Sequence, residues 1–226
     1  MLRTTLQGKP TSDSYTIKAS VVLPPDTNHH GTIFGGKLMA YIDDVATIAA
    51  TRHARRPVVT ASTDSVDFLH PVKKGDAVCL SAFVTWTHNT SMEVFVRVTT
   101  EDLLTGEKVV CATSFLTFVA LDEDNRPTPV PGVVPQTEEE MLLYQTASER
   151  KEARKIRRAE SKRFADYLGA DYKLGEGRKL RSAAAAEAAG RLLRGAGSQA
   201  NASSSASSPD ATASGAYAQS WASDWD

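Results

Sequence analysis

HGTIFGGKLMAYIDD, residues His30 to Asp44, decides between two architectures. Gly31, Gly36 and Lys37 stand at the spacing of a phosphate-binding loop, but Leu38 occupies the place where that loop needs a hydroxyl. Such a loop also follows a buried parallel strand and precedes alternating strands and helices. Here the nearest β-branched run ends at Leu23, eight residues before Gly31, and four strand-like runs follow the helix in series. The phosphate cradle is therefore rejected, and the stretch is read as the entry to a long helix.

From Gly35 to about His53 there is no proline and no glycine after Gly36, and Leu38, Ile42, Val45 and Ala49 recur at helical spacing. Met39, Ala46, Ile48 and Ala50 widen that stripe nearly all round, which predicts a helix wrapped by protein. Upstream, Ser14 to Leu23 is rich in β-branched residues and stops at Pro24-Pro25, which cannot continue a ladder. Downstream, strands are expected over Val58 to Leu69, Ala77 to Thr87, Met92 to Thr100 and Val109 to Leu121. Turn residues separate them at Lys73 to Asp76, His88 to Ser91 and Thr105-Gly106. One strand, one buried helix and four meandering strands predict an α+β domain, an antiparallel sheet with the helix on one face.

The chain of 226 residues divides by composition. Residues 1–12 read as a flexible N-terminus, 13–124 as the folded domain, 125–136 as a Pro-rich linker, 137–168 as a charged helix, and 169–226 as a low-complexity, disordered tail. The charged helix opens on a capping box from Thr137 to Glu140, and its basic run from Arg150 to Arg158 reads as a solvated face with Glu–Lys pairs. Trp221 and Trp225, four apart in the tail, form a candidate docking peptide. A core of roughly 110 residues hides only somewhat over ~60% of its chain surface, so association with further copies is expected.

A net charge of -1 leaves no footprint for nucleic acid. Cys79 and Cys111 lie in apolar strand-like runs, which fits reduced buried thiols, and no metal-ligand spacing accompanies them. No apolar run is long enough to span a bilayer. The leading MLRTTLQGK lacks the apolar stretch of a secretory signal. The expected compartment is cytoplasmic, and because this stretch is basic, hydroxyl-rich and free of acid before Asp13, mitochondrial is the alternative.

The helix start is a candidate site. Its first amides lack internal acceptors, carry partial positive charge, and at Gly35-Gly36 have no Cβ to keep a ligand away. The same glycines can equally serve a tight entry turn. Asp43 and Asp44 stand mid-helix among apolar residues, where a carboxylate needs a partner or a task. At 100° per residue they point apart, so one can be catalytic and the other structural. Asn28, seven residues before Gly35, can hold a carbonyl or a water, or bond its own backbone. His29 and His30 read as an exposed loop pair, and no G-x-S-x-G elbow supports a serine nucleophile.

Taken together, P-D-x-N-x-x-G-x-x-F-G-G from Pro25 to Gly36, Asp43, A-x-x-A-A-x-R-H from Ala46 to His53, V-T-A-S at Val59 to Ser62 and H-P-V-x-x-G-D at His70 to Asp76 resemble the hot-dog acyl-CoA thioesterases. The similarity runs from about Ser14 to Leu121. It implies a strand-wrapped helix, a homodimer assembled further into a hexamer as a trimer of dimers, and hydrolysis of fatty acyl-CoA to free acid and CoA without a cofactor. It further implies catalytic Asn28 and Asp43 at a site shared between protomers, and it selects Asp43 over Asp44. Gly35 or Gly36 amides would form the oxyanion hole. For the CoA phosphates the candidates are Arg52, Arg55, Arg56, Lys73 and Lys74, with Thr60 as a hydroxyl contact. Two alternatives stand beside this: a hot-dog hydratase, whose loop histidine is out of register here, and a non-enzymatic acyl-CoA sensor, which should lack the helix acid.

Overall fold

The computed structural model describes residues 7–168. Eleven elements follow in order: β1 (Lys9–Pro10), β2 (Thr16–Val21), α1 (Gly35–Ala54), β3 (Val58–Thr63), β4 (Asp67–Phe68), β5 (Ala77–Thr87), β6 (Ser91–Glu101), β7 (Lys108–Ala120), β8 (Val133–Val134), α2 (Glu138–Gln145) and α3 (Ala147–Leu168). Short 3-10 turns at Thr11–Ser14 and Pro24–Asp26 flank β2. The main sheet runs β2-β5-β6-β7-β3, antiparallel throughout, with β4 added beside β3 on β7. This is the expected α+β layout, an antiparallel sheet curled around one long helix.

Alternation along the strands decides what meets that helix. In β6, Met92, Val94, Val96 and Val98 are fully buried and join Leu38, Ile42, Val45, Ala46 and Ala49 of α1 in one core. The intervening Phe95 turns to the other face, where its ring lies 5.8 Å from Phe83 and 5.0 Å from Phe115. Strand β7 is apolar almost throughout, with Phe118 fully buried in the core and Phe115 half-buried on the other face. Each aliphatic side chain buried in this way contributes roughly 1.5–3 kcal/mol.

The helix is not wrapped all round. Its inner face is buried, but Met39 is 50% and Ile48 45% exposed, and Ala40, Asp44 and Thr51 share that open side. One sheet has only one concave face, so a single chain leaves an apolar strip uncovered.

Three further differences have identifiable causes. The described part of the N-terminal segment is tied down rather than flexible: Lys9–Pro10 pairs in parallel with Val133–Val134, Lys9 Nζ donates to the His53 carbonyl at 2.7 Å, and Thr11 and Ser14 are buried. The expected strand Val58 to Leu69 is broken after Thr63, where Asp64 and Ser65, poor strand formers, intervene. The charged helix is two helices. The capping box at Thr137 and Glu140 is formed, but Thr146 Oγ1 turns back to the Leu142 carbonyl at 2.8 Å and interrupts the run.

The chain splits into two compact units, the first including everything to Ser148 and the second beginning at Glu149. Among the described residues the second unit is the remainder of α3, a basic helix with Ile156, Phe164 and Tyr167 about half exposed. The expected tail and its Trp221 and Trp225 lie outside the described residues. Among the described residues no helix is long and apolar enough to cross a membrane.

Candidate active site

The entry to α1 is built by a loop that folds on itself. Asn28 Nδ2 donates to Thr32 Oγ1 at 2.9 Å, and Asn28 Oδ1 accepts from the amides of His30 at 2.9 Å and Thr32 at 3.3 Å. Gly31, at φ 74°, supplies the left-handed turn that this closure needs. Beyond it, the Ile33 amide reaches the Val72 carbonyl and the Phe34 amide the Asp26 carbonyl, each at 2.8 Å. Lys37 closes the loop from the helix side with an ion pair to Asp26 at 3.3 Å, and that carboxylate raises the Lys37 ammonium above its ordinary range. The chain thus enters the helix at a fixed angle without a side-chain cap, Phe34 being the N-cap residue.

Two consequences follow at the mouth. Among the described residues the Gly35 and Gly36 amides have no hydrogen-bond acceptor, whereas those of Lys37 and Leu38 both reach the Phe34 carbonyl. A Cβ at Gly36 would stand 2.6 Å from Cε1 of the Phe34 ring, an exposed side chain that would have to turn aside to admit it. The Phe34 ring thus lies against Gly36, and the pair leaves two amide donors open.

Two turns into the helix, Asp43 is half-buried on the open side, and Thr60 Oγ1 of the edge strand β3 donates to its Oδ1 at 2.9 Å. Its Oδ2 accepts no hydrogen bond among the described residues. Asp44, one residue on, is 58% exposed and pairs with Lys18 of β2 at 2.5 Å. The two acids thus divide as their directions require, one to the sheet edge at β3 and the other to the opposite edge. Thr60, expected as a CoA contact, faces this acid within the chain.

The candidate cations separate by position. Lys73 and Lys74 meet the Asn28 loop: the Lys74 amide donates to the Gly31 carbonyl at 3.0 Å, and Asn28, His29, His30, Thr32 and both lysines line one hollow of about 600 Å³. Arg52 is occupied with β2, donating to the Tyr15 carbonyl at 2.6 Å and Thr16 Oγ1 at 3.1 Å. Arg55 and Arg56 follow the far end of the 20-residue helix, roughly 30 Å from the mouth at 1.5 Å per residue. Within one chain they cannot share a ligand with Lys73. The rings of His29 and His30 lie 3.8 Å apart, tilted by 45° to each other, and both residues are exposed.

His53 closes the other end of α1. It is fully buried, and its Nε2 donates to the Pro131 carbonyl at 2.9 Å, which leaves Nδ1 without a partner. Burial holds the imidazole below its ordinary pKa and so keeps it neutral. The Cys111 thiol is likewise pushed up, to about 11, by burial, which makes it inert. Cys79 and Cys111 are both free. Among the described residues no cluster of His, Cys, Asp or Glu could hold a metal ion.

A second hollow of about 340 Å³ borders the first, sharing Thr32 and Pro71, and its wall includes Phe68 and Leu69. The only sequence signal for it is two bulky apolar residues next to a His-Pro turn.

Residues 30–107 match the family model of the Thioesterase superfamily. The chain is 57% identical over 159 residues to the Bacillus subtilis protein YkhA, described as an uncharacterized acyl-CoA thioester hydrolase, covering 70% of this chain and 92% of that one. It is similar to an apo-hexameric acyl-CoA thioesterase, with TM-score 0.67 and 58% identity over 68% of this chain and 99% of the other. A third likeness is to the Staphylococcus aureus acyl-CoA hydrolase, solved with butyryl coenzyme A, coenzyme A and coenzyme A disulfide: TM-score 0.68, 49% identity, 71% of this chain and 98% of that one. That protein has also been solved as the variants Asp43→Ala, Asn28→Ala and Thr60→Ala, residue types that this chain carries at the same numbers.

Proposed function

Because the chain belongs to the Thioesterase superfamily and to its acyl-CoA thioester hydrolases, enzymes that cut thioester bonds, we propose that it hydrolyses fatty acyl-CoA at a site completed by a second copy of itself. The observation that carries the shared site is a distance along one helix. Gly35 and Asp43 are eight residues apart, about 12 Å of axial rise. An oxyanion donor lies about 3 Å from the carbonyl oxygen, and the reacting atoms meet at about 3–3.5 Å. One thioester cannot touch both ends of that span. The acid of one copy therefore works with the helix mouth of another, and the uncovered strip beside Asp43, with Met39 and Ile48, is the surface along which the copies meet. The hexameric assembly of a relative supports further association into a hexamer, which a trimer of such dimers would satisfy.

Asp43 acts as the general base. Thr60 holds Oδ1, leaving Oδ2 to take a proton from water. The water oxygen bonds to the thioester carbon, and the oxyanion that forms rests on the Gly35 and Gly36 amides of the other copy. The C–S bond then breaks, the electron pair leaves on the CoA sulfur, and the proton held by Asp43 neutralises that thiolate. Asn28 keeps the loop in shape beside this centre, and Lys73 and Lys74 receive the CoA phosphates. Free thiols and the lack of a membrane-crossing helix among the described residues favour a cytoplasmic setting.

Thiol release from acyl-CoAs of several lengths, wild type against Asp43→Asn, tests the assignment. Loss of about two orders of magnitude in kcat at unchanged folding is expected. Turnover near wild type would remove Asp43 from the chemistry.

A further inference from the structure

The outer face of the sheet carries an apolar patch at its β2 side. Lys18 of β2 turns inward to Asp44 of α1, so its neighbours Ile17, Ala19 and Val21 point away from the helix, and all three are exposed. The ladder extends their rows: Ala19 lies opposite Cys79 on β5, Cys79 opposite Thr99 on β6, and Thr99 opposite Val110 on β7. A sheet face left to water is normally polar at such positions. Here Ile17 is 59% and Val110 39% exposed. Beyond the last row the β6–β7 hairpin holds out Leu104, 97% exposed on a turn that Asp102 Oδ1 fixes by accepting from the Leu104 amide at 2.8 Å. Two balanced ion pairs bound the patch, Arg97 with Glu139 at one rim and Lys108 with Glu101 at the other.

We propose that this patch is where one pair of copies meets another pair, the contact that turns dimers into the larger assembly; it rests on the assembly read above. A copy docked along Met39 and Ile48 sits on the helix side and leaves the opposite face of the sheet bare. Hiding both apolar surfaces therefore takes two different contacts. The occupant follows from area and charge. Four strands at about 4.8 Å and five residues at about 3.4 Å give roughly 330 Å², the size of a functional patch but less than half of the ~800 Å² that each partner of a stable pair commits. Alone it is too small to hold two chains. Paired copies carry it twice, and the two contacts reinforce each other. An acidic or basic partner needs a patch of one sign, and an anionic lipid surface needs cations, whereas a second copy of the same neutral patch needs neither.

The test places a charge in the patch with Ile17→Lys and, separately, Val21→Lys, both at side chains that face solvent in one chain; Ile17→Val keeps the patch apolar. Mass is followed by native mass spectrometry and sedimentation over a range of protein concentration, with melting and thiol release on the same samples. Expected is a hexameric wild type whose half-dissociation into dimers moves to about tenfold or more higher concentration in each lysine variant, and stays put in Ile17→Val. Melting should match wild type, and the rate per chain should stay within about twofold, because each reacting centre is complete inside a pair. Lysine variants that remain hexameric over the whole range would overturn the inference. So would a fall straight to single chains, which would make this face the seam of the pair. Wild type found as dimers alone would remove both the hexamer and this contact while leaving the shared site standing. A hexameric wild type that releases no thiol would sink the hydrolase reading, and the mass data would still decide the contact.

Discussion

Replacing Thr60 by valine removes one hydroxyl and keeps the β-branched shape that an edge strand accepts. Thr60 pairs with Phe118 in the ladder through its backbone, so β3 retains its register. What disappears is the 2.9 Å hydrogen bond to Asp43 Oδ1. Hydrogen bonds to charged groups contribute about 1.5–3 kcal/mol. Thr60 is exposed in one chain, which argues for the lower end, or about a tenfold loss in rate. Because the bond orients the base and touches no CoA atom, the loss should fall on kcat, with KM for acyl-CoA nearly constant. Steady-state thiol release at saturating and limiting acyl-CoA separates the two. A Thr60→Val variant with normal kcat and a raised KM would refute the reasoning and return Thr60 to the role of a CoA contact.

Lys73→Ala with Lys74→Ala should raise KM for acyl-CoA several-fold and flatten its dependence on salt, while KM for acyl-pantetheine, which lacks the phosphate cluster, stays put; equal effects on both substrates would count against these cations. The buried His53 predicts a pH effect on stability. Its folded pKa is below its ordinary value, so the unfolded chain binds more protons as pH drops through about 6.5. Stability should be constant above that point and decline below it, and the decline should shrink in His53→Gln when melting is followed from pH 8 to 5. Identical slopes in the two proteins would exclude His53 as the source.

Much of the fold was legible because its signals are local. The alternation from Ala77 to Thr87 predicts β5 with the bounds observed, and the glycine start with the unbroken run to His53 places α1 within a residue. The capping box also formed as its residues require. What could not be read depends on pairs far apart in the chain. Lys9–Pro10 meets Val133–Val134 across more than a hundred residues, and two-residue strands have no periodicity to detect. At the site, the residue types at Asn28, Gly35, Gly36 and Asp43 pointed to helix-end chemistry. The partner of Asp43 did not, because Thr60 reaches it only through the sheet's closure around the helix. The division between Asp43 and Asp44 became physical once Lys18 was seen to claim the second acid. Likewise Lys73 and Arg56 look alike as sequence; the length of α1 is what puts them at opposite ends.

The claim on which the account turns is that each reacting centre takes its acid from one copy and its helix mouth from another. Asn28→Ala and Asp43→Asn are each expected to be nearly inactive alone. Unfolded together in equal amounts and refolded, they should form hybrid pairs in half of the dimers, with one intact centre of the two in each, so thiol release should return to about a quarter of wild type. A mixture no more active than its parents, with hybrid formation verified by mass, would contradict it.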